Sequence, residues 1–374
     1  MSDKSAIVIG AGIAGLATAR ALAVRNYRVT VVERSLQAMG ASVRNFGMIL
    51  PAAQPAGQLY DRAKRSAAIW KEICNEAGIW YEQKGSLHLA YAPDEWQVLH
   101  EVKEAYTCRG YRLLDPAATT RLSAAILPDG LYGSLYSTDE LIVDPRKAIA
   151  AIPLWLAEKY NVQFIWGKHV NGVLHPFVHV GNEKLQADEI YVCSGADFET
   201  LYPDIYKALP LTKCKLQMMR LGVQPGGWRL GPALCSPLSL VHYNSYKAAP
   251  SFPALKARIE KEFAEYLQYG IHLLVSQNEE GALTVGDSHE YGSSPDPFDR
   301  ELINDLILRY LGSFARFGNS RVMETWNGVY PKLTNGETDI VLSPAPGVTI
   351  INGFGGAGMT LAFGLAEEVI ERNQ

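Results

Sequence analysis

Residues 6–34 read AIVIGAGIAGLATARALAVRNYRVTVVER and place three glycines, Gly10, Gly12 and Gly15, at the spacing G-x-G-x-x-G. A strand pattern precedes these glycines, a helix pattern follows them, and a second strand pattern ends at Glu33. The first glycine permits a tight turn, the second lets the backbone approach a pyrophosphate, and the third allows the helix to pack closely on the strand. An acidic residue about 20 positions further on is suited to accept a ribose hydroxyl and disfavours the 2'-phosphate of NADP. The stretch predicts a Rossmann-like dinucleotide-binding unit; the alternative is a tight strand-to-helix turn without a ligand.

The composition indicates a folded globular protein that acts on small molecules. The chain has 374 residues, 48% of them hydrophobic, which is enough for two domains with substantial cores. The formal net charge is only -4 and both signs are interspersed, so neither nucleic acid nor a membrane surface is an expected partner. Five cysteines without a C-x-x-C motif favour a reducing cytoplasm over a disulfide framework. No apolar run reaches the roughly 18 residues that a membrane-spanning helix needs.

The segment GASVRNFGMILPAAQP at residues 40–55 favours FAD over NAD. The glycine fingerprint fits either dinucleotide, but an NAD dehydrogenase would continue with regular strands and helices. The small and polar residues of this segment are typical of a loop that lines an extended ligand. Ser42, Arg44, Asn45 and the backbone through Met48 are therefore candidates to contact the flavin. For Arg44 the alternative is a surface salt bridge.

The rest of the chain predicts a second domain inserted into the first. Residues 1–55, 144–200 and 335–374 are assigned to an α/β dinucleotide-binding domain, and residues 56–143 and 201–334 to an α+β substrate domain on a large, mainly antiparallel sheet. Amphipathic periodicity predicts helices at residues 59–77, 95–106, 146–160, 254–269 and 299–317. Alternating and β-branched residues predict strands at residues 86–91, 162–166, 170–174, 177–180, 189–193, 215–223, 271–277, 282–287 and 321–329.

The C-terminal stretch NGFGGAGMTLAFGLAEEVIE, residues 352–371, repeats the pattern of a strand, a tight turn and a helix start. Gly353, Gly355, Gly356 and Gly358 fall within six residues, directly after the apolar run 348–351. Glycine inside an element costs roughly 0.5 to 1 kcal/mol, so this cluster indicates a sharp bend or a backbone that lies against a ligand. The small-residue turn Ser194-Gly195, which ends another strand, is a further place for backbone to meet a nucleotide.

With these features together, the chain resembles the D-amino acid oxidase superfamily of FAD-dependent oxidoreductases, which includes glycine oxidase and sarcosine oxidase. The resemblance covers nearly the whole chain and implies an FAD-binding Rossmann-like domain of the glutathione-reductase type. It places Val170 at the adenine and residues 355–360 at the flavin pyrimidine. There the N-terminus of the last helix would stabilise the negative charge that develops on flavin reduction.

A narrower resemblance concerns ASVRNFGMILP at residues 41–51, GDSHEYG at 286–292 and NGVYPKLTNGETDI at 327–340. These motifs are similar to those of a bacterial clade associated with phosphonate breakdown. The similarity implies oxidation of 2-aminoethylphosphonate or its N-alkyl derivatives. The resemblance and the motifs together predict cofactor contacts from Gly10, Gly12, Ile13, Ala14, Gly15, Glu33, Arg34, Ser42, Arg44, Asn45, Gly47, Met48, Val170, Ser194, Gly195, Gly353, Gly355, Gly356, Ala357, Gly358, Met359 and Thr360.

The chain departs from its apparent relatives at two places. Glycine oxidase-like members carry an arginine after a Gly-Leu pair to bind the substrate carboxylate, and Tyr330 occupies that place here, which makes simple amino acids doubtful substrates. The sarcosine oxidase branch attaches its flavin to a cysteine, whereas residues 326–350 contain none, so FAD is expected to bind noncovalently.

Several residues remain as candidates for the substrate side. Arg44, Tyr243, His272, Tyr330 and Lys332 are assigned there, with Lys213 and His242 as further anion-side candidates. Each has a structural alternative: a lysine beyond a strand end is often solvated, and a histidine in an apolar strand is often a hydrogen-bonded core residue. No metal site is predicted, because His175 and His179 flank Pro176 in a strand pattern; His289 is expected to organise a turn.

The leading hypothesis is a cytoplasmic FAD-dependent amine oxidase or dehydrogenase. The C–H bond next to a neutral amine gives a hydride to flavin N5, and the imine hydrolyses to an aldehyde, with oxygen or another acceptor reoxidising the flavin. One alternative is a glycine, sarcosine or D-amino acid oxidase acting on a carboxylate amine. Others are a redox-silent dinucleotide-binding protein and, less in keeping with the acidic charge, a tRNA-modifying enzyme. The oligomeric state is left open.

Overall fold

The computed structural model describes residues 4–373, within which the chain forms 21 strands and 11 helices. The strands are β1 Ser5–Ile9, β2 Arg28–Glu33, β3 Met48–Ile49, β4 Tyr81–Glu82, β5 Ser86–Ala90, β6 Arg112–Leu114, β7 Gly133–Ser137, β8 Leu141–Val143, β9 Gln163–Trp166, β10 Val170–Leu174, β11 Phe177–Val180, β12 Glu183–Gln186, β13 Glu189–Val192, β14 Leu211–Leu221, β15 Ala233–Cys235, β16 Leu274–Gln277, β17 Leu283–Gly286, β18 Glu290–Gly292, β19 Val322–Leu333, β20 Ile340–Ala345 and β21 Val348–Asn352. The helices are α1 Ile13–Ala23, α2 Gln58–Ala77, α3 Pro93–Ala105, α4 Pro116–Leu122, α5 Pro145–Tyr160, α6 Pro203–Ala208, α7 Ser239–His242, α8 Phe252–Glu262, α9 Ala264–Leu267, α10 Glu301–Leu311 and α11 Gly358–Arg372.

A six-stranded sheet in the order β20-β21-β13-β1-β2-β9 contains the N-terminal fingerprint. Its pairs are parallel except for the hairpin between β20 and β21. The carboxyl ends of β1, β2, β13 and β21 therefore lie at one edge, which is where ligands bind in open α/β sheets. At this edge the chain continues into Gly10, Arg34, Cys193 and Gly353.

Helices α1, α2 and α11 pack together beside this sheet, because each presents a face of small or apolar residues. Nearly all of α1 is buried, including Leu16 and Leu22, and so are Trp70 of α2 and Phe363 of α11. The Trp70 and Phe363 rings meet edge to face with centroids 5.2 Å apart. A Cβ on Gly15 would lie 1.8 Å from the carbonyl oxygen of Gly10, so only glycine lets α1 approach β1 this closely. This packing places the N-termini of α1 and α11 side by side.

A nine-stranded sheet forms the second large layer, in the order β18-β14-β17-β16-β15-β5-β7-β6, with β19 paired to β14. All pairs are antiparallel except β15 with β5. Buried side chains of this sheet, such as Leu87, Val275 and Val285, pack in one apolar cluster with residues of α3, α8 and α10. Two smaller sheets, β3-β8-β4 and β10-β11-β12, complete the fold.

The predicted fold class, an α/β dinucleotide-binding fold with a large and mainly antiparallel second sheet, is confirmed. The strands of the six-stranded sheet all come from residues 1–55, 144–200 and 335–374, and those of the nine-stranded sheet from residues 56–143 and 201–334. This agrees with the proposed two-domain division, which stays a prediction. Within the described residues, no helix combines the length and apolar character needed to cross a membrane.

Some predicted elements differ from the structure. The helix expected at 254–269 is divided into α8 and α9 at Phe263, whose backbone leaves the helical region. The helix expected at 299–317 ends at Leu311, with Gly312 as its C-cap. Strand β19 runs to Leu333 rather than ending at 329. Strands β7, β12, β15 and β20 and the short helices α4, α6 and α7 were not expected from the pattern.

Candidate functional site

One continuous cavity of about 840 Å³ extends from the carboxyl edge of the six-stranded sheet to the face of the nine-stranded sheet. All the predicted cofactor and substrate residues line it except Gly15 and Gly47. Gly15 serves the packing of α1 described above. Gly47 has φ +70 and a Cβ there would lie 1.9 Å from the carbonyl oxygen of Val143, so its role is also close packing. The motif residues are therefore brought together in space although they are up to 350 positions apart in sequence.

Glu33, at the end of β2, lies at one end of the cavity, which we call the nucleotide end. Its Oε2 accepts the N–H of Ala11 at 2.9 Å, and its Oε1 accepts the N–H of Ser35 at 3.0 Å. The carboxylate thus holds the glycine turn next to the place where a ribose would bind. Arg34 points outward to Asp197, at 2.7 Å, and Val170 is a buried wall of the same end.

The N-terminus of α1 faces the middle of the cavity. Gly12 is the N-cap in an extended conformation, and the N–H of Ile13 donates to Ser42 Oγ at 2.9 Å. A Cβ on Gly12 would lie 3.1 Å from that oxygen, so the loop at Ser42 lies close against the helix start. The Ser42 hydroxyl keeps its own hydrogen for a ligand oxygen, which suits a phosphate at a helix N-terminus.

The loop at residues 41–48 is held by its own side chains. Asn45 donates to the carbonyl oxygens of Ala41 and Ser42 at 3.0 and 2.9 Å and accepts the N–H of Gly47 at 2.7 Å. Arg44 donates from Nη1 to the carbonyl oxygen of Asn327 at 3.1 Å. Arg44 therefore links this loop to β19 while it lines the cavity, and it is not a surface salt bridge.

The C-terminal glycine loop forms the opposite wall. Gly353 and Gly355 have φ of +78 and +55, which favours glycine. Gly356 does not have a positive φ, and a Cβ there would meet only Tyr330, at 3.5 Å from the phenol oxygen. Gly358 begins α11 and lies against Ile13 of α1. Thr360 accepts the N–H of Leu50 at 3.0 Å, so this hydroxyl already anchors the wall.

Tyr330 and Lys332 lie inside β19, contrary to the expectation that Lys332 follows a strand end. Lys332 also pairs with Phe354 in an antiparallel bridge, and a Cβ on Gly355 would lie 3.5 Å from Lys332 Nζ. The ammonium group is therefore held beside the glycine loop. Burial raises the pKa of Tyr330 well above its ordinary value, so the phenol is neutral at physiological pH.

Three histidines meet at the far end of the cavity, and we call His242, His272 and His289 the imidazole cluster. The ring centroids of His242 and His272 are 3.5 Å apart, and His289 lies 4.9 and 4.8 Å from them. Tyr243 contacts His272 edge to face at 5.4 Å. His242 belongs to α7, His272 lies two residues before β16, and His289 directly precedes β18, so the cluster forms only in the folded sheet.

Asp287 lies beside the imidazole cluster and lines the same cavity. Its carboxylate oxygens are 3.5 Å from His272 Nε2 and 3.8 Å from His289 Nε2, distances at which no hydrogen bond forms. Both ring nitrogens of His272 and Oδ1 of Asp287 are buried without a partner. Burial lowers the pKa of His272 well below and raises the pKa of Asp287 well above their ordinary values. Buried polar atoms of this kind are usually satisfied by a ligand or water.

The ligand atoms of the three histidines lie within 4.8 Å of one another, which raises the question of a metal ion. Imidazoles arranged tetrahedrally on zinc would keep their centroids about 5 Å apart, given Zn–N distances near 2.0 to 2.1 Å. The His272–His289 and His242–His289 pairs have that spacing, but the His242 and His272 rings stack too closely. The His242–His272 spacing is therefore shorter than two imidazoles on one tetrahedral zinc ion would have.

The sequence assigned His289 to a turn and did not select Asp287. His289 does lie in the connection between β17 and β18, where Nδ1 donates to the carbonyl oxygen of Gly270 at 2.9 Å, but its ring also lines the cavity. Lys168 and His169, which follow β9 at the nucleotide end, were also missed. For Asp287 and His289 the motif GDSHEYG at residues 286–292 offered a signal of a functional site, since it places an acid and a histidine directly after a strand.

The sequence and the fold both match known proteins. Residues 5–372 match the family described as FAD dependent oxidoreductase, DAO. Among solved structures, L-proline dehydrogenase from P. horikoshii superposes with a TM-score of 0.77 at 20% identity, covering 100% of this chain and 95% of that one. Glycine oxidase from Bacillus cereus superposes with a TM-score of 0.77 at 15% identity, covering 100% and 96%. Likenesses at this level of identity show the fold.

Two curated relatives are similar over part of their length. The bifunctional protein ThiO/ThiG from Nostoc sp. is 27% identical over 238 residues, which are 59% of this chain and 34% of that protein. The tRNA 5-methylaminomethyl-2-thiouridine biosynthesis bifunctional protein MnmC from Chromobacterium violaceum is 27% identical over 255 residues, 62% of this chain and 36% of that protein. The chain thus spans about a third of the length of these relatives.

Proposed function

Because the chain belongs to the family of FAD-dependent oxidoreductases, we propose that it oxidises the C–N bond of a small amine that carries an anionic group. The proposed substrate is 2-aminoethylphosphonate or an N-alkyl derivative such as its N-methyl form. The observation that carries the proposal is the position of Lys332, a cation held in β19 that lines the cavity beside the glycine loop. The products would be an aldehyde and the released amine.

The residues of the cavity fit FAD. The N-terminus of α1 and the Ser42 hydroxyl suit the pyrophosphate, and Glu33 suits the adenosine ribose. The start of α11, where Gly356 leaves space in the wall, suits the flavin pyrimidine. Bound FAD supplies the acceptor for a hydride, and oxygen or another acceptor takes the electrons onward. We expect the cofactor to be noncovalent, since residues 326–350 contain no cysteine.

The protein's part in the reaction is placement and electrostatics. A phosphonate carries between one and two negative charges near neutrality, and its field holds a proton on the neighbouring amine. A protonated amine has no lone pair to assist loss of a hydride. Cations at Lys332 and Arg44 would bind the anion and lower the pKa of the bound amine toward the working pH.

Tyr330 also supports the proposed choice of substrate over a simple amino acid. The resemblance to glycine oxidase-like proteins places a carboxylate-binding arginine at this position, and a neutral phenol does not replace its forked, charge-assisted contact. Glycine oxidase from Bacillus cereus and iminodiacetate oxidase from Chelativorans sp. are structural neighbours named for amine substrates. These names support an amine, and Tyr330 favours an anion other than the α-carboxylate of a simple amino acid.

Anaerobic mixing of the purified flavoprotein with candidate amines tests the proposal. N-methyl-2-aminoethylphosphonate or 2-aminoethylphosphonate is expected to bleach the flavin absorbance far faster than sarcosine, glycine or D-alanine. Fastest bleaching by sarcosine would instead assign a carboxylate amine oxidase, and no bleaching by any amine would favour a redox-silent protein. A colourless protein that binds NAD would overturn the use of FAD.

Variants of two lysines on neighbouring strands test the role of charge. Lys332→Met is expected to raise the apparent substrate constant and move the pH optimum upward, because the amine would then keep its proton to a higher pH. Lys213→Met is the matched control, since Lys213 lines the same cavity but is neutralised by Glu199 at 2.6 Å. Equal behaviour of the two variants would remove Lys332 from the anion site.

A further inference from the structure

We propose that the imidazole cluster, His242, His272 and His289, together with Lys332, binds the tetrahedral oxyanion group of the substrate, and that the anion binds together with protons taken up by the cluster. The proposal rests on the proposed function for the identity of the substrate. It assigns the anion to the far end of the cavity, so that the amine would extend from there toward the glycine loop.

The first support is the convergence of three imidazoles at one end of a cavity that Lys332 also lines. The three rings lie within 4.9 Å of one another by their centroids, and all three line the cavity with Lys332. The Lys332 charge acts on two of these rings, since it contributes to lowering the pKa of both His242 and His289. Four groups able to donate hydrogen bonds match the several oxygens of a phosphonate or sulfate.

The second support is the set of unpartnered atoms. His272 is 4% exposed and both of its ring nitrogens lack a hydrogen-bond partner, although it lies on the cavity wall. A purely structural core histidine would have its ring N–H satisfied, as His88 does with Ser86 and Tyr246. His272 is therefore arranged for a partner that enters the cavity.

The third support is the tautomer of His289. Its Nδ1 must donate its hydrogen, because the carbonyl oxygen of Gly270 can only accept. In the neutral ring Nε2 is then a bare acceptor, which repels an oxyanion. His289 gains a second donor only when the ring takes another proton, so anion binding and proton uptake at this residue are one event.

The groups that face the cluster permit this coupling. Lys332 is the cation on the same cavity wall, Asp287 is the buried carboxyl beside His272 and His289, and the phenols of Tyr243, Tyr291 and Tyr330 surround the cluster. Burial holds the pKa of His289 at about 4 and the pKa of His272 below its ordinary value, so the unliganded rings are neutral at pH 7. A bound dianion reverses the field and raises both pKa values. Proton uptake thus neutralises the anion inside the protein.

Titration calorimetry on the FAD-loaded enzyme tests the coupling, with sulfate and methylphosphonate as probes. Sulfate does not titrate near neutrality, so any proton uptake on its binding belongs to the protein. Measurements at pH 6 in two buffers with different heats of ionisation are expected to give a net uptake of protons on sulfate binding. The affinity is expected to fall as the pH rises. Sulfate binding without proton uptake and without pH dependence would overturn the proposal.

Variants separate the imidazoles from the lysine. His272→Asn is expected to weaken sulfate and methylphosphonate binding at least tenfold and to reduce the proton uptake, whereas Lys332→Met is expected to weaken binding but keep the uptake. The exposed His100, on α3, provides the control His100→Gln with unchanged values. If His272→Asn loses FAD or folds poorly, His242→Asn gives the same test, because His242 is accessible inside the cavity. Wild-type affinity and uptake in a folded His242→Asn variant would overturn the proposal.

Three further outcomes are decisive. Stoichiometric zinc or another transition metal in the purified protein, with sulfate binding lost on chelation, would replace the anion site by a metal centre. Proton-coupled binding of methylphosphonate in an enzyme that no aminophosphonate reduces would support the anion site and reject the proposed substrate. Rapid reduction by an aminophosphonate with an unchanged apparent substrate constant in His272→Asn and His242→Asn would support the function and reject the cluster.

Discussion

At the scale of single residues, the C-terminal loop separates glycines required by backbone conformation from glycines that leave space. Gly353 has φ +78, and a Cβ there would lie 2.8 Å from Ile340. Gly356 lacks a positive φ, and a Cβ there would make an ordinary contact of 3.5 Å with Tyr330. The backbone therefore requires glycine at position 353, whereas Gly356 has an ordinary backbone and leaves space on the cavity wall.

Valine at these two glycines provides a matched pair of variants. Gly356→Val is expected to lower flavin content strongly while the melting temperature of the apoprotein stays near the wild-type value, because the side chain would occupy the cavity. Gly353→Val is expected to destabilise the apoprotein by about 1 to 3 kcal/mol through backbone strain. Flavin absorbance and thermal unfolding of apoprotein measure the two effects. Severe destabilisation of the Gly356→Val apoprotein would assign this glycine to folding as well.

Glu33 provides a second prediction for a single residue. Glu33→Ala is expected to weaken FAD binding roughly tenfold or more, since an unpaired buried polar group costs about 1 to 3 kcal/mol. Glu33→Gln, which keeps one acceptor oxygen, is expected to lose less. Apoprotein titrated with FAD gives the affinities by fluorescence. Unchanged affinity in a folded Glu33→Ala variant would mean that this carboxylate only holds the turn through Ala11 and Ser35.

The lining of the cavity was easier to predict from the sequence at the glycine turn than at the imidazole cluster, for a physical reason. Gly12, Glu33 and Ser42 act through local geometry, a turn and a helix start that a short motif encodes. His242, His272 and His289 come from separate elements and meet only through sheet pairing, so each alone resembled a core histidine. Long-range pairing of this kind has no signature in a single short stretch.

At the scale of elements, periodicity predicted the long helices well and the strand ends less well. Helix α2 and strands β10 and β11 agree with the prediction to within one residue. Strand β19 was expected to end at residue 329, but it continues through Pro331, although proline lacks the N–H that a sheet interior needs. It continues because β19 pairs with β14 alone in the large sheet, and an edge strand tolerates a proline.

The contact between α2 and α11 depends on Arg62. This arginine is 5% exposed and makes two 2.8 Å hydrogen bonds to Glu368 and one of 2.6 Å to Asp339. A Cβ on Gly364 of α11 would lie 2.5 Å from the carbonyl oxygen of Arg62, so the two helices touch at this point. The arginine thus joins α2, α11 and the segment before β20.

Replacing Arg62 tests that connection. Arg62→Met is expected to lower the free energy of unfolding by about 3 kcal/mol, because it leaves Glu368 and Asp339 partly buried without their partner. Arg372→Met is the control: Arg372 contacts the same Glu368 at 3.6 Å but is 67% exposed in its side chain, so the expected change is within about 0.5 kcal/mol. Urea denaturation of the apoprotein measures both. Similar losses in the two variants would contradict a special role for Arg62.

At the scale of the whole molecule, a buried carboxyl connects the small sheet to the cavity wall. Glu140 is 1% exposed, and its Oε1 accepts the N–H of Ala52 at 3.0 Å while its Oε2 has no partner. Ala53 and Gln54, the next residues along, line the cavity. Burial raises the pKa of Glu140 to about 7, and the hydrogen bond from Ala52 offsets this only in part.

This raised pKa predicts how the stability of the molecule depends on pH. The folded protein holds the Glu140 proton more tightly than the unfolded chain, whose carboxyl has a pKa near 4.5. Stability from this group is therefore lost as the pH rises from about 4.5 to about 7 and stays lost above that. Glu140→Gln removes the titration, so its stability relative to wild type is expected to rise by about 3 kcal/mol between pH 5 and pH 8. The exposed Glu104, changed to Gln, is the control and is expected to show no such rise. Urea unfolding of the apoprotein at pH 5 and pH 8 measures the two free energies of unfolding. If the free energy changes equally with pH in wild type and in Glu140→Gln, then Glu140 is ionised in the folded protein at pH 5.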